Sequence, residues 1–330
     1  MTDLVFETAD RLFRDHVDKA LLDNAETGTW PDALWQAVEE NGLADGLLGE
    51  AADGAAVLLA AGKHAAPLPI AETMLGRALL ARAGIEAPAG TLALAPVERQ
   101  DRIAIAGGRI NGTAHGVAWA RRASKIVVVA NGTIALVDPA DAQIEAGTNL
   151  AGEPRDTVVF DGTASASGPS PIDDEGLQRL GAWARSIQMA GAMEAALEIA
   201  TTYANDRVQF GRPIAKIQVI QHQLALMAEE VAAAGVATRL ATERLDGPEA
   251  FLAVAAAKIR SGEAAGKAAE YAHQVMGAIG FTHEHTLHHL TRRLWSWRDE
   301  FGRESDWSIA LGRLVGRVGA DGLWPWLARA

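Results

Sequence analysis

The sequence predicts an α+β protein, mainly α, with an N-terminal helical domain, a small middle β domain and a C-terminal four-helix bundle. Three observations carry that prediction. Apolar residues recur at helical spacing up to about Pro88, and short runs rich in Val, Ile and Thr, broken by Gly, Asn, Asp and Pro, fill residues 91–163. After the stretch ASASGPSPIDD at 164–174, proline becomes sparse and alanine abundant. The implied boundaries are 1–88, 89–165 and 172–330.

In the first region Val5, Leu12 and Phe13, then Leu34, Trp35 and Val38, then Val57, Leu58 and Leu59 mark apolar faces. TGTWPDALW separates two of these helices, with Thr29 expected to cap and Pro31 to open the second, and APLP at 66–69 is a further break. The middle region holds RIAIAGGRI, SKIVVVANGTIALVD and DTVVF, which suggest five or six strands. Asn131-Gly132 lies between two apolar runs and marks a tight hairpin. Long helices are expected at about 173–206, 213–244, 248–279 and 284–300, with a shorter one near 306–318.

Composition narrows the function. The chain has 330 residues, of which 49% are hydrophobic and 22% charged, so it has enough apolar surface to fold. Its formal net charge of −12 repels polyanions, and nucleic acid is not an expected partner. With no cysteine it has no disulfide, thiolate nucleophile or cysteine-based metal site, which suits a reducing cytoplasm. Neither a signal peptide nor a membrane span is expected, because acidic residues interrupt each apolar run.

Two segments carry the chemistry. YANDRVQFGRPIAKIQVIQHQLALMAEE at 203–230 joins two long helices, with Gly211 where a helix C-cap is wanted and Pro213 at the start of the next helix. On punctuation alone, Arg207 neutralises a helix end. AHQVMGAIGFTHEHTLHHLTRRLW at 272–295 has Gly277 and Gly280 interrupting a helix and Thr282 placed to cap the next. Together, and about 70 residues apart, the two segments resemble the acyl-CoA dehydrogenases, most clearly from Gly191 to Arg293. Within that family the chain is most similar to the smaller subunits of heteromeric enzymes that act on steroid side chains and other bulky acyl groups.

The resemblance implies FAD-dependent α,β-desaturation of an acyl-CoA thioester and an FAD site shared between subunits. Arg207 would reach the pyrophosphate, since a guanidinium fork suits two phosphate oxygens. Gln209 and Phe210 would lie beside the same cofactor, and Gln274 and Gly277 would accept its adenosine half, Gly277 because a side chain would collide. Implied partners are acyl-CoA, a homo-oligomer or a longer acyl-CoA dehydrogenase subunit, and an electron-transfer flavoprotein or similar acceptor.

The family's base lies in a Tyr-Glu-Gly-Thr type turn, where this chain reads WRDEFGRESDWS. If Gly302 matches the family glycine, Phe301 holds the base position, and the neighbouring Glu300 is the candidate catalytic carboxylate. The alternative base position, near the start of the first bundle helix, is Gly181. The family's Thr-Glu-Pro and Gly-Ser-Asp segment over the flavin is not found. These absences are explained by a non-catalytic subunit that completes FAD sites for a partner; a flavin-free helical scaffold is the other alternative.

No metal site is expected. In HEHTLHH at 283–289, His285 and His289 are four residues apart, but the pattern is not HExxH and no further ligand cluster is evident. The arginines at 292, 293, 298, 303, 313 and 317 are expected on a solvated, salt-bridged surface, and most of Trp295, Trp297, Trp307, Trp324 and Trp326 in the core or at a subunit interface.

Overall fold

The computed structural model describes residues 3–327. Helices α1 (Asp3–His16), α2 (Lys19–Glu26), α3 (Asp32–Glu40), α4 (Ala51–Lys63) and α5 (Ile70–Arg82) come first. Asp18 caps α2, its carboxylate accepting from Leu21 N at 2.8 Å. Pro31 occupies the N-cap position of α3 with no side-chain cap, so Thr29 does not cap it as expected. Residues 54–62 of α4 are all buried, as are most of those of α5, which suits their weakly amphipathic sequences.

Strands β1 (Leu92–Ala95), β2 (Arg102–Ala106), β3 (Arg109–Ala118), β4 (Lys125–Ala130), β5 (Thr133–Val137), β6 (Ala142–Glu145), β7 (Arg155–Thr163) and β8 (Ala166–Pro169) follow. There are eight here, not five or six. The excess comes from short edge strands: β6, and β8, which pairs part of the expected linker with β5. One sheet has the order β1-β4-β5-β8 and the other β2-β3-β7-β6. The period of two explains how the first sheet serves two cores. Ala93, Ala95, Ile126 and Val128 face the second sheet, while Leu92, Leu94, Val127 and Val129 join the helical core. A strand buried on both faces reads as the unbroken apolar run KIVVVA. Asn131 and Gly132, both at positive φ, form the expected hairpin between β4 and β5.

Helix α6 (Asp174–Asp206) is 33 residues long, about 50 Å at 1.5 Å per residue. Asp173 caps it through Gly176 N at 2.7 Å. Then come β9 (Val208–Gln209), β10 (Arg212–Pro213), α7 (Gln218–Glu243), α8 (Ala250–Met276), α9 (Leu287–Trp297), α10 (Glu304–Val318) and α11 (Ala320–Leu327). The second and fourth long helices are shorter than expected, because a hairpin and a helical turn occupy 208–216 and the 284–286 segment stays outside α9. Among the described residues no helix is long and apolar enough to cross a membrane.

Helices α4 and α6 touch backbone to backbone. A Cβ on Gly62 would lie 2.1 Å from Gln188 O, and one on Gly191 would lie 2.1 Å from Leu59 O. Only glycine permits this crossing at both points, and it brings the middle of α6 close to the N-terminal helices.

Candidate functional site

The structure sorts the candidate residues into two places: an interior corner where α6 meets the turn after α9, and an exposed edge at the other end of α6.

At the corner the chain turns through Phe301 (φ +53°) and Gly302 (φ +90°). Two buried donors hold the turn through three hydrogen bonds. Lys258 Nζ on α8 donates to Arg298 O at 2.6 Å and Gly302 O at 2.7 Å, and Trp307 Nε1 donates to Phe301 O at 2.9 Å. Burial pushes the Lys258 ammonium down to about 8. The Phe301 ring, 3% exposed, lies against Gly181, where a Cβ would fall 2.2 Å from its Cδ1. The two positions where the resemblance places a base therefore adjoin each other, and a phenyl ring fills the space between them.

Glu300 points into the same interior but is fully engaged. Its Oε1 accepts from Arg155 Nε at 2.7 Å and its Oε2 from Arg185 Nε at 2.6 Å. Arg185 continues to Gln188 at 2.6 Å and to Glu72 on α5. Arg155 continues to Glu153 at 3.0 Å, which also accepts from Trp297 Nε1 at 3.0 Å and pairs with Arg293 at 3.2 Å. Three carboxylates thus face three guanidiniums, and the N-terminal helices, the β layer and the bundle are joined through one neutral buried network. Arg293, expected on a solvated surface, is 1% exposed; Trp297 and Trp307 are in the core, as expected.

Burial opposes ionisation of Glu300, but Arg155 and Arg185 outweigh it and hold the carboxyl below its usual range. In the same way Arg155 and Arg293 hold Glu153 down to about 2 against burial. A general base needs a free lone pair and a pKa near the working pH. Glu300 has a carboxyl held below its usual range with a guanidinium on each oxygen, and Phe301 has no titratable group. Sequence reasoning overlooked Glu98, a half-buried carboxyl raised by burial and by Asp101, in the cleft beside Gln178 and Asn131. No sequence motif marks it.

The exposed edge is built differently. Arg207 caps the C-terminus of α6 in extended conformation, and Phe210 (φ +54°) and Gly211 (φ +75°) form the two-residue turn between β9 and β10. Gly211 is therefore a hairpin residue rather than a helix C-cap, and Pro213 lies in β10 rather than opening α7. Arg207 and Gln209 are exposed, Phe210 is 90% exposed, and the Arg207 guanidinium meets no carboxylate among the described residues. Buried Ile214, whose N–H donates to Arg207 O at 2.8 Å, anchors the hairpin.

Because α6, α7 and α8 run up, down and up, the α8 C-terminus lies at the same end, and both ends pack into one apolar cluster. There Gly277 (φ +65°) closes α8 beside a cleft lined by Gln274, His273, Phe281 and Trp295. His273 stacks on Phe281 with ring centroids 4.1 Å apart. A Cβ on Gly277 would meet nothing within 4 Å. Within this chain glycine is required there by its backbone conformation and not by crowding. Thr282 hydrogen-bonds Ile279 O and does not cap α9.

An unpaired guanidinium, an exposed ring and an open glycine-edged cleft fit the phosphate and aromatic parts of a dinucleotide. The corner offers no free base. Arg207, Gln209 and Phe210 share one hairpin, Gln274 and Gly277 share one cleft, and Glu300 lies apart from both.

Residues 178–298 match the family model described as Acyl-CoA dehydrogenase, C-terminal domain. Acyl-CoA dehydrogenase IpdE2 of Mycobacterium tuberculosis is 28% identical over 307 residues, covering 87% of this chain and 88% of that protein. Glutaryl-CoA dehydrogenase of Desulfococcus multivorans is 40% identical over 99 residues, which are 29% of this chain; the chain spans only 25% of that relative. Among solved structures, a chain of the ChsE4-ChsE5 complex from Mycobacterium tuberculosis shares the fold, with a TM-score of 0.85 and 19% identity, covering 96% of this chain and 97% of that one.

Proposed function

We propose that this chain, whose residues 178–298 match the acyl-CoA dehydrogenase C-terminal domain and which is similar along most of its length to an acyl-CoA dehydrogenase, is the subunit of a heteromeric acyl-CoA dehydrogenase that completes the FAD site without supplying the base. The observation that carries this reading is the corner: Phe301 packs against Gly181, and both oxygens of Glu300 are held by arginines. When bound, FAD supplies the two-electron acceptor for the β-hydride of the thioester. Arg207 holds its pyrophosphate, Gln209 and Phe210 lie alongside, and Gln274 and Gly277 receive the adenosine half. A longer partner subunit provides the carboxylate that removes the α-proton of the acyl-CoA, and electrons leave to an electron-transfer flavoprotein or similar acceptor. The similar fold in a two-protein complex supports such a partnership. The family's residues at the exposed edge argue against a flavin-free scaffold.

A second reading, dehydrogenation by this chain alone with Glu98 as base, is favoured by that carboxyl's raised pKa. Absorption spectra of the chain alone and coexpressed with a longer homologue separate the two. The expected result is a colourless lone chain and a yellow complex bleached by acyl-CoA, with activity retained in Glu98→Gln. A yellow lone chain bleached by acyl-CoA, inactive as Glu98→Gln, overturns the subunit reading.

A further inference from the structure

The histidines of HEHTLHH do not act as the i, i+4 pair considered from spacing. His285 Nδ1 accepts from Leu287 N at 3.1 Å and helps start α9, whereas His288 and His289 turn inward, 6% and 0% exposed, toward α2. One ring nitrogen of each and a carboxylate oxygen of Asp23 lie within 4.8 Å of one another.

The hydrogen bonds decide which nitrogens are available. His288 Nδ1 lies 2.6 Å from His285 O; a carbonyl only accepts, so Nδ1 carries the proton and Nε2 has a free lone pair. That Nε2 is buried and has no hydrogen-bond partner. Burial and the neighbouring His289 both push His288 toward its neutral form. His289 Nδ1 is 2.7 Å from Glu26 Oε1, and Arg292 pins the other Glu26 oxygen at 2.8 Å. His289 Nε2 is 3.1 Å from Asp23 Oδ1, while Lys19 holds Asp23 Oδ2 at 2.5 Å. Each ring is thus oriented through Nδ1 by a carbonyl or a carboxylate, the arrangement that outer-shell groups impose on metal-ligating histidines.

We propose that Asp23 Oδ1, His288 Nε2 and His289 Nε2 bind one divalent first-row cation of the zinc class, leaving one position to solvent. Two imidazoles and one carboxylate favour zinc over the all-oxygen preference of magnesium or calcium. With bonds of about 2.0–2.2 Å, tetrahedral ligand atoms lie about 3.4 Å apart. Asp23 and His289 already satisfy that spacing, and Asp23, 43% exposed in its side chain, can adjust toward His288. Ligation through His289 Nε2 requires that nitrogen to be without a proton, so any proton held there passes to buffer on binding. The bound ion ties α2 to α9, more than 260 residues apart in sequence.

The test is Zn2+ titration of the untagged, chelator-washed full chain, with Co2+ as a spectroscopic substitute. One equivalent of Zn2+ is expected, with proton release, a melting temperature raised by several degrees, and the visible bands of four-coordinate Co2+. His288→Gln should weaken binding at least about tenfold, and Glu26→Gln about 10- to 100-fold by freeing the His289 ring. Absence of stoichiometric binding by the wild type, a six-coordinate Co2+ spectrum, or wild-type affinity in both folded variants overturns the site and leaves His289 as a hydrogen-bonding partner of Asp23 and Glu26. The wild-type Co2+ spectrum decides the matter even where a variant fails to fold.

Discussion

The two ends of α6 are built in opposite ways. At its N-terminal part, Gly181 and Arg185 face a corner filled by Phe301 and closed by buried ion pairs. At its C-terminal end, the Arg207 side chain and the Phe210 turn stand in solvent, and the Arg207 guanidinium meets no carboxylate among the described residues. The corner is closed by this chain's own side chains, while the edge is open to solvent.

The sharpest way to break this contrast is Glu300→Gln. It leaves Arg155 and Arg185 without their shared carboxylate, and loss of one partner in a buried ion pair costs about 3–5 kcal/mol. A urea midpoint lowered accordingly, with turnover per folded complex unchanged, is expected. Loss of turnover with stability intact would make Glu300 the base and erase the contrast.

Acid should act on the same network. Glu153 is held down to about 2, so its folded pKa is depressed and its stabilisation is full above the unfolded value near 4.5. That contribution, about 3 kcal/mol for a displacement of this size, is lost as pH falls from about 4.5 toward 2. Urea midpoints measured across that window should fall steadily, and a flat profile would contradict the ion pairing.

Gly191→Ala places a methyl 2.1 Å from Leu59 O at the α4–α6 crossing. Overpacking of this kind costs about 1–3 kcal/mol, visible as a lower melting temperature, because the obstacle is backbone. At the edge, Arg207→Ala should leave melting unchanged and cut FAD retention of the complex about tenfold or more, the scale of a lost charge-assisted hydrogen bond of about 1.5–3 kcal/mol. Smallest is Phe210→Ala in the lone chain: an exposed ring on a turn should change stability by no more than about 0.5 kcal/mol.

Elements were legible in the sequence wherever they follow from local patterning. Alternation in RIAIA, the Asn131-Gly132 turn and the apolar spacing of the helices each depend on neighbours a few residues away. β6 and β8 escaped because a short edge strand in AQIE or ASGP has no pattern of its own, and only pairing with a longer strand defines it. Among the candidate residues, Arg207, Gln209, Phe210, Gln274 and Gly277 sit in two contiguous segments, so their grouping was visible. The role of Glu300 was not, since its arginines lie 115 and 145 positions away.

By itself the sequence determined the helical and β textures, the Asn131-Gly132 hairpin and the two segments that carry the family resemblance, because backbone propensity and hydrophobic period act over one or two turns. Tertiary structure alone decided that Phe301 meets Gly181, that the Glu300 carboxylate is engaged, and that His288 and His289 face Asp23. Those outcomes depend on helices packed against segments more than a hundred residues away, whose approach is set by shape and charge across the whole core.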